Sequence, residues 1–128
     1  MKTIYVIALA LMLIGCASAL KQQALVANAM AIASNEAIPL LADAELAEGL
    51  AAIAEAPDAD AGRAALEAIE EKWRPVWLAV EAFAQAHGTW VDTIESGGEL
   101  SIVVLLDTYC GLVSIAKPYA ELPALVCP

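Results

Sequence analysis

The amino-acid sequence predicts an all-α protein: a long, kinked helical hairpin plus a third helix, together a three-helix bundle, followed by a proline-rich tail. Three observations predict this. Of the 128 residues 61% are hydrophobic but only 5% are aromatic. Much of the apolar content is alanine, which has the highest helix propensity and buries little area per residue. Apolar residues recur at steps of three and four over long stretches, and turn-forming clusters are few and widely spaced. The length fits one domain with a modest core, closed by tight packing of small side chains.

The first helix is expected over about residues 17–56, where Lys21, Gln22, Gln23 and many alanines favour it. Leu20, Ala24, Ala27, Ala31 and Ser34 trace one face at helical spacing, and Leu40, Leu41, Ala44, Leu46, Leu50 and Ile53 continue the apolar content. Pro39 lies inside this pattern and should kink the helix or split it near Ile38, with Ser34 or Asn35 capping a second segment. Ala56-Pro57-Asp58-Ala59-Asp60 is the clearest turn and start signal, since it joins a proline with two good N-cap residues. The second helix, about 59–96, carries the stripe Leu66, Ile69, Trp73, Val76 with Trp77, Val80, Phe83 with Ala84, His87, Val91 and Ile94. The stripe continues across Pro75, which predicts one kinked helix, with a break at Arg74 as the alternative. Ser96-Gly97-Gly98 ends it. A third helix, about 99–115, has Leu100, Val103, Val104, Leu106, Tyr109, Cys110 and Val113 over most of its surface and should be the most buried. Ile102 to Leu106 would also suit a strand, but no partner strand accompanies it. The tail, 117–128, contains Pro118, Pro123 and Pro128 and should run extended over the bundle.

The formal net charge is −10. Lys21, Arg63, Lys72, Arg74 and Lys117, scattered through an acidic body, cannot neutralise a run of phosphates, so nucleic acid is not an expected partner. Adsorption of the body to anionic lipid is disfavoured for the same reason.

The N-terminus carries an address. Met1-Lys2 forms a minimal positive region, and Thr3 to Ile14 is an uncharged apolar run that fits a signal peptide and is short for a membrane span. Leu13-Ile14-Gly15-Cys16 follows. Together these residues resemble the lipobox signal of bacterial prolipoproteins. The resemblance covers about the first sixteen residues. It implies cleavage after a 1–15 signal peptide, diacylglycerol on the Cys16 thiol, and an acylated (palmitate-bearing) terminus on a single helical domain, 16–128. Ala17, where an aspartate would retain such a protein at the inner membrane, resembles cargo sent to the outer membrane, with the body facing the periplasm. Two other outcomes use the same residues: cleavage at Ala19 of the Ala17-Ser18-Ala19 pattern, releasing a soluble periplasmic protein, or an uncleaved anchor over Thr3 to Leu20. The body's W-R-P-V-W, A-H-G-T-W and Y-C…C-P segments resemble uncharacterised Ala-rich helical lipoproteins of bacteria and phages, a resemblance that implies no activity.

Lipidation of Cys16 would leave Cys110 and Cys127. In an oxidising compartment two cysteines imply one disulfide, which would tether the tail to the third helix. Unrelated thiols or an intermolecular bridge are the alternatives. No metal site is expected from two distant thiols and one histidine.

His87 is the single histidine. It could serve as a general base with Asp92, Glu95 or Glu81 as orienter, but none of these stands three or four residues away. It fits better as a partly buried histidine bonded to a neighbouring helix. Glu45 with Glu48, Glu67 with Glu70 and Glu71, and Glu95 with Glu99 suggest solvated acidic faces, and no Glu-x-x-His pair suggests a di-metal bundle. Glu70 and Arg74 suit an i,i+4 pair. The serines lack a nucleophile-elbow setting, and no glycine-rich phosphate loop is present. Trp73, Trp77 and Trp90 form the remaining cluster. Trp73 and Trp77, with Arg74 between them, could anchor a partner or a glycan, or could fill the core at an Ala-rich seam.

The sequence reading is therefore a non-enzymatic envelope lipoprotein without cofactor, acting as an interaction or structural protein on an unidentified envelope partner. The alternative is a periplasmic binding module or inhibitor, with phage exclusion or a lysis accessory role among its uses. An enzyme built on His87 is a third reading. A long Ala-rich hairpin could also complete its core as a homodimer.

Overall fold

The computed structural model describes residues 19–98, 102–123 and 127. The expected signal peptide, Cys16, Leu100 and the last residues of the tail other than Cys127 lie outside the described residues. Among the described residues the fold is three helices in chain order: α1 (Ala19–Glu55), α2 (Ala59–Glu95) and α3 (Val103–Ala116). No strand is present among the described residues, so Ile102 to Leu106 belongs to the start of α3 and not to a strand.

The boundary chemistry is local. Asp58 caps α2 from an extended backbone conformation, and its Oδ1 accepts the Ala61 N–H at 2.8 Å. At the other end Gly97 adopts φ +77°. The Gly97 N–H reaches the Ile94 carbonyl at 3.0 Å and the Gly98 N–H reaches the Thr93 carbonyl at 2.8 Å. This is the Schellman pattern, in which a left-handed residue lets two orphan carbonyls find donors.

Neither internal proline divides its helix: α1 continues through Pro39 and α2 through Pro75. Ser34 and Asn35 therefore lie inside α1 and cap nothing. Both prolines are exposed, so water can reach the carbonyls of Asn35 and Glu71 that lose an N–H partner. Packing on the opposite face offsets the roughly 3 kcal/mol proline penalty.

The helices α1 and α2 form an antiparallel hairpin. In α2 the inward positions are Ile69, Trp73, Val76, Val80, Phe83, His87, Trp90 and Ile94, alternating steps of four and three, with Trp73, Val76, Phe83 and Trp90 fully in the core. The facing seam of α1 is Ala27, Met30, Ser34, Ala37, Leu41, Ala44 and Glu48. This seven-residue repeat is the spacing of a left-handed coiled coil. Large residues of α2 face small ones of α1, which is how an alanine-rich helix closes a core. Met30, fully buried, belongs to the seam in place of Ala31, and Leu66 and Ala84 of the expected α2 stripe are exposed.

The central helix is α2, which packs against both α1 and α3, while α1 and α3 meet little. The buried face of α3 is Leu105, Tyr109, Leu112 and Ala116. Val103 and Val104, expected to be buried, are exposed, because α2 covers one side of α3 and the tail meets α3 only further along, at Tyr109 and Cys110. Beyond a turn at Lys117–Tyr119 the tail becomes irregular, and Ala120 and Leu122 enter the core. The Tyr109 hydroxyl donates to the Pro123 carbonyl at 2.8 Å. The Cys110–Cys127 disulfide, with Cα atoms 5.4 Å apart, fastens the tail to α3.

Candidate functional site

The most elaborate side-chain arrangement lies where α1, α2 and the tail meet. Trp73 and Trp77 are one turn apart on α2, and Glu48 and Glu45 are one turn apart on α1. The antiparallel register sets them in pairs. Glu48 Oε2 accepts the Trp73 indole N–H at 3.2 Å and Glu45 Oε2 accepts that of Trp77 at 2.7 Å. The same Glu48 oxygen accepts a bond from Lys72 Nζ at 2.7 Å. From the tail, the Tyr119 ring packs on Trp73 with centroids 4.2 Å apart, and Lys72 Nζ stands 5.7 Å from its centre. The bond from Lys72, and then that from Trp73, holds the Glu48 carboxyl below its ordinary range, while the Lys72 ammonium is raised chiefly by Glu48.

This cluster joins three segments. A buried indole N–H without an acceptor is costly, so Trp73 demands the carboxylate that α1 supplies. Glu45 and Glu48, expected on a solvated acidic face, are in fact the acceptors that fix the hairpin register. The signal was available: two tryptophans at i,i+4 need acceptors, and two carboxylates at i,i+3 lie across the turn.

Trp73 is 0% exposed, so no partner can touch it in the folded chain. Trp77 is half-buried, and Arg74 and Lys72 are exposed, so these three belong to the accessible part of the site. Arg74 pairs with Glu71 at 2.9 Å and not with Glu70. Both neighbours are within helical reach, and exposed pairs differ by only tenths of a kcal/mol. Trp90 is not part of the cluster. It lies thirteen residues further along α2, roughly 20 Å away at 1.5 Å per residue.

His87 is half-buried, with its ring 6.1 Å from Phe83. Its Nε2 is buried without a hydrogen-bond partner, as is Trp90 Nε1, which corrects the expectation of a bond to a neighbouring helix. The seam of α1 opposite supplies Ala, Met and Ser, too short or too apolar to reach either nitrogen. Of the carboxylates considered as orienters, Glu81 accepts from Gln85 at 3.0 Å, and none is bonded to His87. Among the described residues no three His, Cys, Asp or Glu side chains are grouped closely enough to hold a metal ion. The arrangement offers an acidic, partly aromatic surface. Compared with models of protein families, with curated proteins and with solved structures, the chain has no match.

Proposed function

We propose that the chain is a non-enzymatic lipoprotein of the bacterial cell envelope. Cys16 carries the lipid, the anchor sits in the inner leaflet of the outer membrane, and the helical body faces the periplasm as an interaction protein. The observation that carries this reading is the Cys110–Cys127 disulfide. Such bonds persist in oxidising compartments and are rare in the cytosol. The reading draws further support from the order of charge, apolar run and Leu13-Ile14-Gly15-Cys16 at the N-terminus.

The physical logic is a division of labour. The acidic body has no attraction for an anionic membrane. Acyl chains contribute about 0.8 kcal/mol per buried methylene, so a multiply acylated terminus holds firmly. The body is then a rod whose long helices each span roughly 55 Å at 1.5 Å per residue. Trp77 and Arg74 are an accessible aromatic and an accessible arginine side by side on it, side-chain types that dominate binding hot spots.

The test is radiolabelled palmitate fed to cells producing the wild-type chain or Cys16→Ser, followed by separation of inner and outer membranes. Label in the wild-type chain alone, recovered with the outer membrane, is the expected result. An unlabelled wild-type chain in the periplasmic fraction would instead favour a diffusible binder processed at Ala19.

A further inference from the structure

The helix α1 carries a second apolar stripe. Leu25, Ile32, Leu46 and Ile53 stand at a seven-residue repeat through Pro39, and Leu50 fills the turn between the last two. Seven-residue steps keep these positions about half a turn round the helix from the seam that packs on α2. The stripe is 43% exposed at Leu25, 57% at Ile32, 59% at Leu46 and Leu50 and 47% at Ile53, with Leu40 beside it at 55%. α3 meets α1 little, and α2 reaches the stripe only at its end, where Ile53 borders Gly62 and Leu66. The helix is thus apolar on two opposite faces, and among the described residues only one of them packs along its length.

The spacing of this stripe is symmetric about Pro39. Ile32 and Leu46 lie seven residues either side of it, and Leu25 and Ile53 fourteen. A surface with that symmetry is self-complementary across a two-fold axis, as an isologous contact requires. In an antiparallel pair Leu25 meets the second copy's Ile53, and Ile32 meets its Leu46. The charges agree with that direction. A parallel pair would set Glu36 against Glu36 and Asp43 against Asp43. The antiparallel pair sets Glu36 opposite Ala42 and Asp43 opposite Asn35, and brings Lys21 beside the acidic Glu55–Asp60 end of the second copy. The area agrees as well. The five half-exposed side chains of the stripe offer on the order of 500 Å² per copy, so the pair reaches the roughly 1,000 Å² that a specific interface must clear.

We propose that the outer face of α1 is a self-association surface, on which two copies pair antiparallel through Leu25, Ile32, Leu46 and Ile53 about a two-fold axis at Pro39. The pairing goes beyond the envelope reading and rests on the surface of α1, so either can fail alone. The net negative charge of each copy opposes association, and screening by salt strengthens the pair.

The experiment is cross-linking by a short bismaleimide in cells producing the full chain, before extraction, with the unsubstituted chain treated identically as the background. Pro39→Cys links to itself, because the axis passes through it. Ile32→Cys alone gives no link and is joined only when Leu46→Cys is produced with it. Adding Ile32→Glu and Leu46→Glu to Pro39→Cys abolishes the link, while circular dichroism of the purified chain keeps its helical signal. A Pro39→Cys chain that stays unlinked overturns the pairing. So does Ile32→Cys linking to itself, which would mean a parallel arrangement, or a Pro39 link that survives the two glutamates. If the unlinked chain binds phosphatidylglycerol vesicles through this face, losing them on Ile32→Glu with Leu46→Glu, the membrane is the occupant and the proposal is wrong.

Discussion

Replacing Cys110 and Cys127 by serine removes the bond that closes a seventeen-residue separation between α3 and the tail. For a loop of this length the chain-entropy argument gives about 3 kcal/mol of lost stability. That is a large share of the 5–15 kcal/mol typical of whole domains, and for a body of this size corresponds to a fall in Tm of roughly 10–20 °C. The structure also says where the loss appears first. Tyr119 packs on Trp73, Ala120 and Leu122 are buried, and Pro123 accepts from Tyr109, whereas most of the α1–α2 seam is closed by those two helices themselves. Release of the tail should therefore uncover Trp73 before the hairpin melts. Urea titration followed by tryptophan emission and by circular dichroism at 222 nm distinguishes the two steps. The double serine variant should show a red shift of emission at lower urea than the loss of helicity, and both midpoints should fall below those of the oxidised wild type. Reduction of the wild type should reproduce the variant. Unchanged midpoints would refute the reasoning, because they would mean the tail adds nothing to the core.

Other expectations follow from the same geometry. Trp73→Ala leaves a cavity at the junction of α1, α2 and the tail and strips Glu48 of a donor, costing about 3–5 kcal/mol in chemical denaturation, while the half-buried Trp77→Ala should cost clearly less. Gly97→Ala forces an L side chain into the left-handed region at φ +77° and should cost about 1–2 kcal/mol by the same assay. Burial pushes the Tyr109 hydroxyl up to about 12, against about 10 in the unfolded chain. Because the fold favours the protonated form, this contribution is complete below pH 10 and is lost as pH rises from about 10 to about 12, by at most about 2–3 kcal/mol. Urea midpoints at pH 9 and pH 11 should show the fall, and Tyr109→Phe should flatten it.

The boundaries of α2 were readable because the chemistry that ends a helix is local: a proline followed by an aspartate cap at Asp58, and a glycine pair after Ser96. Pro75 was readable as well: the stripe's steps of three and four continue across it, and α2 runs through it as one helix. At Pro39 a kink and a split both stood open, because which of them forms depends on packing from another segment, and α1 is continuous there. The inner face of α1 was likewise illegible in detail. Alanines and leucines surround the whole helix, so periodicity could not say that Met30 faces α2 while Ile32 faces out. On α3 the run Val103-Val104 looked like core, yet burial there is decided by the one-sided position of α3 on α2. At the candidate site the tryptophans stood out as residue types, and their role did not. That Glu48 would receive both an indole and an ammonium, and that Tyr119 would cover Trp73, depends on tertiary register between segments far apart in the chain.

The claim that an exported, lipid-held helical body is fastened by one internal disulfide is tested most directly by the intact mass of membrane-extracted protein, with and without reduction and alkylation. The account predicts residues 16–128 bearing glycerol and acyl chains, gaining two alkyl groups only after reduction. A lipid-free chain beginning after Ala19, or a chain alkylated at Cys110 and Cys127 without reduction, would contradict it.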